Sequence, residues 1–350
     1  MIVEFVRQIR ELMHREKVTI ENNGTISEWI PSGLLKFSHR MIFQPSTLAL
    51  FGEINPLSLE DDFRLFDDKF HYFSAALPRW MYSWFFSKEL KARSRLYNSW
   101  LEKLYPPRES EFIRARTTLF LANSEWLTKK DHGAMQTAIL WASLGNTIPA
   151  VFWCLLYILQ DPKAVEAIKQ EIDTYLPVFS LDNDIDDSLI DEWTSEQLNS
   201  CVYLESAVNE MLRLAGAALM TRKCQRETRV VLQDGRILNV KPNETVAYFA
   251  AVTHLDPNLF PEPNKFIFDR FLNKNAESVP GFMPFGGGKS MCPGRFFAKN
   301  EIKICLAMLL RYMEYKFVDT ETIPTQKPHR VGFGVAPPSQ DIPIMYRYKI

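Results

Sequence analysis

Phe285-Gly286-Gly287-Gly288-Lys289-Ser290-Met291-Cys292-Pro293-Gly294-Arg295 is the stretch on which the reading of this chain turns. It sets one cysteine in a glycine-rich loop, just ahead of an apolar helical pattern. Glycine has no Cβ, so the backbone can pass close under a flat ligand. Amide N–H groups around a helix start favour negative charge on the sulfur. A thiolate held there can be the single axial ligand of a haem iron, pushing electron density onto the metal and favouring O–O cleavage. Two other readings compete. A lone cysteine beside glycines is commonly a small buried hydrophobe. Gly288-Lys289-Ser290 also matches the end of a phosphate-binding G-x-x-x-x-G-K-[ST] loop. That loop needs a glycine where Met283 stands, and Pro293-Gly294 fall where its helix should run.

Bulk properties narrow the class. A chain of 350 residues can bury a large core in one big domain or two. A hydrophobic content of 46% with 13% aromatics describes a packed globular protein, not a disordered one. The net charge of −1 gives no global attraction to nucleic acid. Five cysteines, odd in number and widely spaced, make no disulfide framework and fit a reducing compartment. The six histidines form no H-E-x-x-H or Cys/His cluster, which argues against a zinc site. Residues Met1 to Arg10 read as the start of an amphipathic helix, not as a signal peptide or an anchor.

Apolar periodicity predicts helices over Phe37–Phe51, Leu57–Phe73 and Trp80–Leu104. The aromatics from Trp80 to Phe86 offer either core or membrane contact. Residues 133–160 carry no charge, and hydropathy alone would allow a transmembrane helix. The polar notch Ser143-Leu144-Gly145-Asn146-Thr147-Ile148-Pro149 instead suits a buried helix that opens beside a cofactor, bent because Pro149 cannot donate its N–H. Asp161-Pro162 should end it. Leu181–Glu192 reads as a surface loop and Val202–Leu214 as a helix. Thr228–Leu238 reads as a hairpin on a two-residue Asp234-Gly235 turn. A helix is expected from Cys292 to about Tyr312, a strand or turn at Val246–Val252, and strands at Val331–Val335 and Ile342–Tyr348. Many helices with a segregated small sheet make the class mainly α, of the α+β type.

Three further motifs precede the cysteine in order. Glu210-Met211-Leu212-Arg213 puts an acid and an arginine on one helix face. His254-Leu255-Asp256-Pro257 to Pro263 leads into Phe266-Ile267-Phe268-Asp269-Arg270-Phe271. The notched helix is the third. With the pattern F-x-x-G-x-x-x-C-x-G, they resemble the cytochrome P-450 family from about Phe37 onward. Within it, Trp141 to Pro149, Phe266 to Asn273, Cys292 to Lys303 and Val331 to Tyr348 are most similar to the group of sterol 7α- and 12α-hydroxylases and prostacyclin synthase.

The resemblance implies a haem b cofactor with Cys292 as the axial thiolate on the iron. Phe285, Gly286, Gly288 and Gly294 would shape the loop. Glu210, Arg213 and Arg270 would form a buried ion network behind the haem that fixes the loop and does no chemistry. Asn146 and Thr147 would face the oxygen side, where Thr147 can hold a water or a proton, unless its hydroxyl bonds back to the Ser143 carbonyl. Arg222 could pair with a haem propionate, since Ser290 stands where the family usually has a basic residue. Ala138, Trp141, Ala142, Gly145, Ala217 and Ala218 would line the substrate side. Lys289, Arg295, Lys299 and Lys303 read either as a basic patch for an acidic electron donor or as ordinary solvated charges.

On this resemblance residues 1–350 form one cytochrome P-450 domain, helical to about residue 225, with the oxygen-activation helix near 131–160. The haem loop and small sheets follow from about 226. The implied activity is hydroxylation of a sterol or other large lipid, with electrons from NADPH-cytochrome P-450 reductase, at the endoplasmic reticulum membrane. An isomerase of the prostacyclin synthase type and an inactive haem- or sterol-binding remnant are the rivals. The family's membrane anchor, early strands and early helices have no counterpart before Phe37. The domain therefore reads as N-terminally incomplete, possessing no anchor as written, and the chain is expected to retain haem weakly.

Overall fold

Apolar spacing builds the first half as expected, but short polar or aromatic joints divide it. The computed structural model describes residues 1–22, 24, 28–74, 78–101, 105–181, 190, 193–232, 234–319 and 323–349. Helices α1 (Ile2–Asn22) and α2 (Leu34–Phe51) pack together. The expected helix over Leu57–Phe73 is broken at Lys69 into α3 (Leu57–Asp68) and α4 (Phe70–Ser74). The next expected helix is broken at Phe86 into α5 (Arg79–Phe85) and α6 (Ser87–Ser99). Helix α7 (Glu111–Ala122) follows, its Ile113 amide bonded to the Ser110 hydroxyl.

The uncharged run makes two helices, α8 (Lys129–Leu144) and α9 (Thr147–Gln160), with a turn at Gly145–Asn146. This corrects the expectation of one helix bent by Pro149. Pro149 lies in the first turn of α9, where an N–H has no intrahelical partner to lose. Residues Lys129–Gln160 contain an 18-residue window apolar enough to cross a membrane, yet 72% of that window is buried inside the protein. Helix α9 is the core: residues 147–156 are all buried, and it packs on α2 and on the later helices α12 (Val202–Ala215) and α14 (Arg295–Tyr312). Asp161 caps α10 (Pro162–Tyr175) through the Lys163 and Ala164 amides, as Asp-Pro at a helix start should. Helices α11 (Ser195–Ser200) and α13 (Ala250–His254) are the remaining α-helices among the described residues. Most of Leu181–Glu192 lies outside the described residues; Leu181 itself is buried.

Among the described residues there are three small antiparallel sheets, the first packed on the helical core through Tyr346 against Phe37. Strands β1 (Ile30–Gly33), β7 (Pro343–Tyr348) and β6 (Met313–Phe317) form one, in that order. β2 (Leu219–Lys223) pairs with β5 (Thr245–Phe249), and β3 (Thr228–Val231) with β4 (Ile237–Val240). The hairpin is present, but its closing pair is Leu232–Arg236, so three residues form the loop instead of two. Gly235, at φ +81, takes the left-handed position such a loop needs.

Residues 331–335 are not a strand. They make only isolated bridges, Gly332 with Ala218 and Val335 with Gly216. Gly332 and Gly334 have φ of +105 and +102, which no continuous strand allows. At Gly334 a Cβ would lie 2.4 Å from Asn146 Oδ1. Gly334→Ala is therefore expected to combine backbone strain with a lost Asn146 contact and to cost about 2–4 kcal/mol. A thermal melt of the variant checks it; an unchanged midpoint would show that this loop yields freely.

Candidate functional site

The cysteine loop is a set of short turns closed by backbone bonds. The Cys292 amide donates to the Phe285 carbonyl at 3.0 Å, Gly286 N to Met283 O at 3.2 Å, and Met291 N to Gly288 O at 3.1 Å. Gly286 and Gly288 have φ of +78 and +65, so both positions favour glycine on backbone grounds. Phe285 is half-buried and packs on the core. Gly294 is the residue just before α14, and a Cβ there would meet only Cys292 Sγ, at 3.9 Å, leaving open space beside the sulfur. Of the five free cysteines, Cys292 alone is exposed. Burial pushes the thiols of Cys154 and Cys305 far up and that of Cys201 up to about 12, so these three stay protonated. Arg222, on β2, is exposed and donates to the carbonyls of Gly287 at 3.1 Å and Thr221 at 2.8 Å, tying the strand to the loop.

Behind the loop lies a buried ion network. Arg213 makes the paired fork on Glu210, with Nε–Oε2 and Nη2–Oε1 both at 2.8 Å. Arg270 Nε reaches both oxygens of the same carboxylate at 3.0 Å, and the Ile267 amide adds a bond at 3.1 Å. The remaining guanidinium donors fan onto backbone carbonyls. Arg213 holds those of His254, Pro263 and Lys265; Arg270 holds those of Pro261, Glu262 and Lys265. Five N–H groups in a planar fork can do this, where a lysine could not. The irregular segment between α13 and Phe271 thus hangs on two arginines.

His254 carries the link to the cysteine loop, and the sequence reading assigned it no role, although it opens one of the quoted motifs. Its carbonyl takes Arg213 Nη1 at 2.7 Å, and its Nε2 accepts the Met283 amide at 3.0 Å. The ring is fully buried. Burial, with the nearby Arg213 charge, lowers its pKa from 6.5 to about 4, so the ring is neutral and free to accept. The folded pKa lies below the unfolded one. Stability from this group is therefore present above pH 6.5 and lost as pH falls toward about 4. The expected loss is roughly 3 kcal/mol. Urea titrations at pH 7 and pH 4 should show it, with a smaller fall in His254→Gln; equal falls in both proteins would clear His254.

At the break between α8 and α9, the Thr147 hydroxyl donates back to the Ser143 carbonyl at 2.6 Å, and Thr147 is buried. Asn146 Oδ1 accepts the Val335 amide at 3.0 Å, joining the break to the 331–335 loop. Ala138 and Ala142, one turn apart on α8, are exposed, while Trp141 is half-buried and Gly145 buried. Ala217 is buried, its amide on the Gly334 carbonyl at 2.7 Å, and Ala218 is half-buried. The four cations Lys289, Arg295, Lys299 and Lys303 do not share one solvated face. Lys303 is buried and, with Lys299, pairs with Glu205; Arg295 pairs with Glu277; Lys289 is exposed. Among the described residues no group of three or more His, Cys, Asp or Glu side chains could hold a metal ion.

The family model for cytochrome P-450 matches residues 5–344. The chain is 32% identical over 348 residues to the cholesterol 7-alpha-monooxygenase of Cricetulus griseus, covering 92% of this chain and 67% of that protein. It is 30% identical over 347 residues to the 25-hydroxycholesterol 7-alpha-hydroxylase of Rattus norvegicus, covering 93% and 81%. It is 31% identical over 348 residues to the 7-alpha-hydroxycholest-4-en-3-one 12-alpha-hydroxylase of Oryctolagus cuniculus, covering 92% and 67%.

Proposed function

Because the chain belongs to the cytochrome P-450 family and is one of its monooxygenases, we propose that it hydroxylates a sterol or a similarly large lipid. The observation that carries this reading is the exposed Cys292 thiol, in a loop anchored through His254 to the Glu210–Arg213–Arg270 network. The residues fit a haem: one sulfur donor, open space beside it at Gly294, and a small-residue face at Ala138 and Ala142. When bound and held by a thiolate, haem supplies the activation of dioxygen for insertion into a C–H bond.

The chain's own residues do the rest. Cys292 ligates, with its backbone held by the Phe285 carbonyl. Glu210, Arg213 and Arg270 keep the loop from shifting. Thr147 gives its hydrogen to Ser143, so its Oγ1 lone pairs are what it offers a water. Asn146, engaged by Val335, holds the break open and is a poor proton source. Arg222, which bonds the Gly287 carbonyl, would pair with a haem propionate. Ala138, Trp141, Ala142, Gly145, Ala217 and Ala218 form the wall against which the lipid is oriented.

We read residues 1–350 as one domain. The buried core extends from Phe5 to Tyr348, and β1 near the start pairs with β7 at the end. NADPH-cytochrome P-450 reductase is the proposed electron donor, and the endoplasmic reticulum the proposed location. Trp84 and Phe85, 78% and 64% exposed on α5, would rest on the membrane surface.

A reduced carbon-monoxide difference spectrum on the purified chain tests the cofactor. A strongly red-shifted Soret band, followed by reductase-dependent hydroxylation of cholesterol or of 7α-hydroxycholest-4-en-3-one, is expected. Turnover of an endoperoxide without reductase would favour the isomerase. Failure to take up haem under any loading condition would leave a binding remnant.

A further inference from the structure

One carboxylate holds three elements together above the α8–α9 break. Asp67, in the last turn of α3, accepts the Trp141 indole N–H at 2.8 Å and Arg330 Nη1–H at 2.9 Å on the same Oδ1. Arg330 Nη1 also bonds the Asp67 carbonyl at 2.8 Å. Trp141 lies on α8, one turn before Gly145. Arg330 ends the short turn Pro328–Arg330, which leads into the Gly332-Phe333-Gly334 loop. Arg330 is 3% exposed, its Nε has no partner, and Asp67 is its only carboxylate among the described residues.

An aromatic layer sits on this tie. Phe70, the first residue of α4, stacks on Trp141 with ring centres 3.6 Å apart and meets Phe333 edge-on at 5.7 Å. The same carboxylate therefore bonds Trp141 directly and reaches Phe333 through Arg330, whose carbonyl accepts the Phe333 amide at 3.3 Å. Asp67 is not sealed in. It is 27% exposed, and a cavity of about 290 Å³ opens beside it, lined also by Asp68, Gly145 and Lys327. Water can reach the carboxylate and replace its donors, so the tie can be undone without unfolding α3.

We propose that Asp67 is a positioning residue that latches the roof of the substrate cavity: it holds Trp141 and Arg330 together, keeps Phe70 between Trp141 and Phe333, and must release them for a bulky lipid to pass. This rests on the reading that Trp141 and Gly145 line the substrate side. Packing alone would not need a charge here. The charge matters because Arg330 is buried and Asp67 is what neutralises it.

The latch is tested in Asp67→Asn and Trp141→Phe, the second a mild change that keeps the ring stack. The first readout is hydrogen exchange on the chain alone, which needs no haem. Amides in 66–74 and 328–335 should lose protection together in both variants. The second readout, on haem-loaded protein, compares azole binding rates. Clotrimazole should bind and leave about tenfold faster in the variants, as for one lost hydrogen bond, while small imidazole should be unaffected. Unchanged exchange in both variants, or equal acceleration of the two azoles, would overturn the latch. Loss of the carbon-monoxide band in the wild type would instead strike the haem reading and leave the exchange result to decide the latch.

Discussion

Glu210→Ala is expected to destabilise the chain more than any other single substitution considered. The side chain is fully buried and is the one carboxylate shared by Arg213, also fully buried, and Arg270. Its removal leaves two guanidinium charges in the interior with only backbone carbonyls to face. Breaking a buried ion pair from one side costs about 3–5 kcal/mol. Whole domains are stable by only about 5–15 kcal/mol, so such a loss should shift the urea midpoint far to the left. The damage should spread. Both arginines hold the carbonyls between His254 and Lys265, and His254 holds Met283. The cysteine loop should lose order first, seen as early amide exchange over 283–292 before the main transition. A variant with a wild-type midpoint would mean that the carbonyl fan alone satisfies both cations.

Cys292→Ser should do the reverse. The thiol is exposed, and the loop is closed by backbone bonds that serine keeps. Stability should therefore stay within about 0.5 kcal/mol of wild type, as for other surface exchanges. Chemistry should not survive. A serine hydroxyl is a far weaker donor to iron than a thiolate, and the electron push that favours O–O cleavage goes with the sulfur. The red-shifted carbon-monoxide band should vanish, and hydroxylation should drop about a thousandfold or more, some 4 kcal/mol of barrier. The pair of variants separates two proposed duties: Glu210 would keep the loop in place, and Cys292 would hold the iron. If Cys292→Ser melted early while retaining turnover, the cysteine would be a packing residue and the haem reading would fall.

Some of this was written in short stretches of chain. Periodic apolar residues identify α2, α12 and α14, because a helix face repeats within a few residues. The glycines around Cys292 and the Glu210–Arg213 spacing are local too. Position 149 misled for a physical reason. Proline bends a helix only where it removes a bond, and in the first turn of α9 there is none to remove. The Val331–Val335 run looked like a strand, but its two glycines turn the backbone left-handed. Lys299 and Lys303 read either as part of a basic patch or as ordinary solvated charges; in the fold both meet Glu205 on α12.

The sequence by itself therefore determined the fold class, the cysteine loop and the acid–arginine pair, since each depends on residues close together in the chain. Tertiary structure alone decided which distant groups share a proton or a charge. Asp67 meets Trp141 across 74 positions and Arg330 across 263, and His254 meets Met283 across 29. No local pattern encodes such a pairing. It exists because burial removes water, and a buried donor or charge must then find whatever partner the packed helices bring within reach.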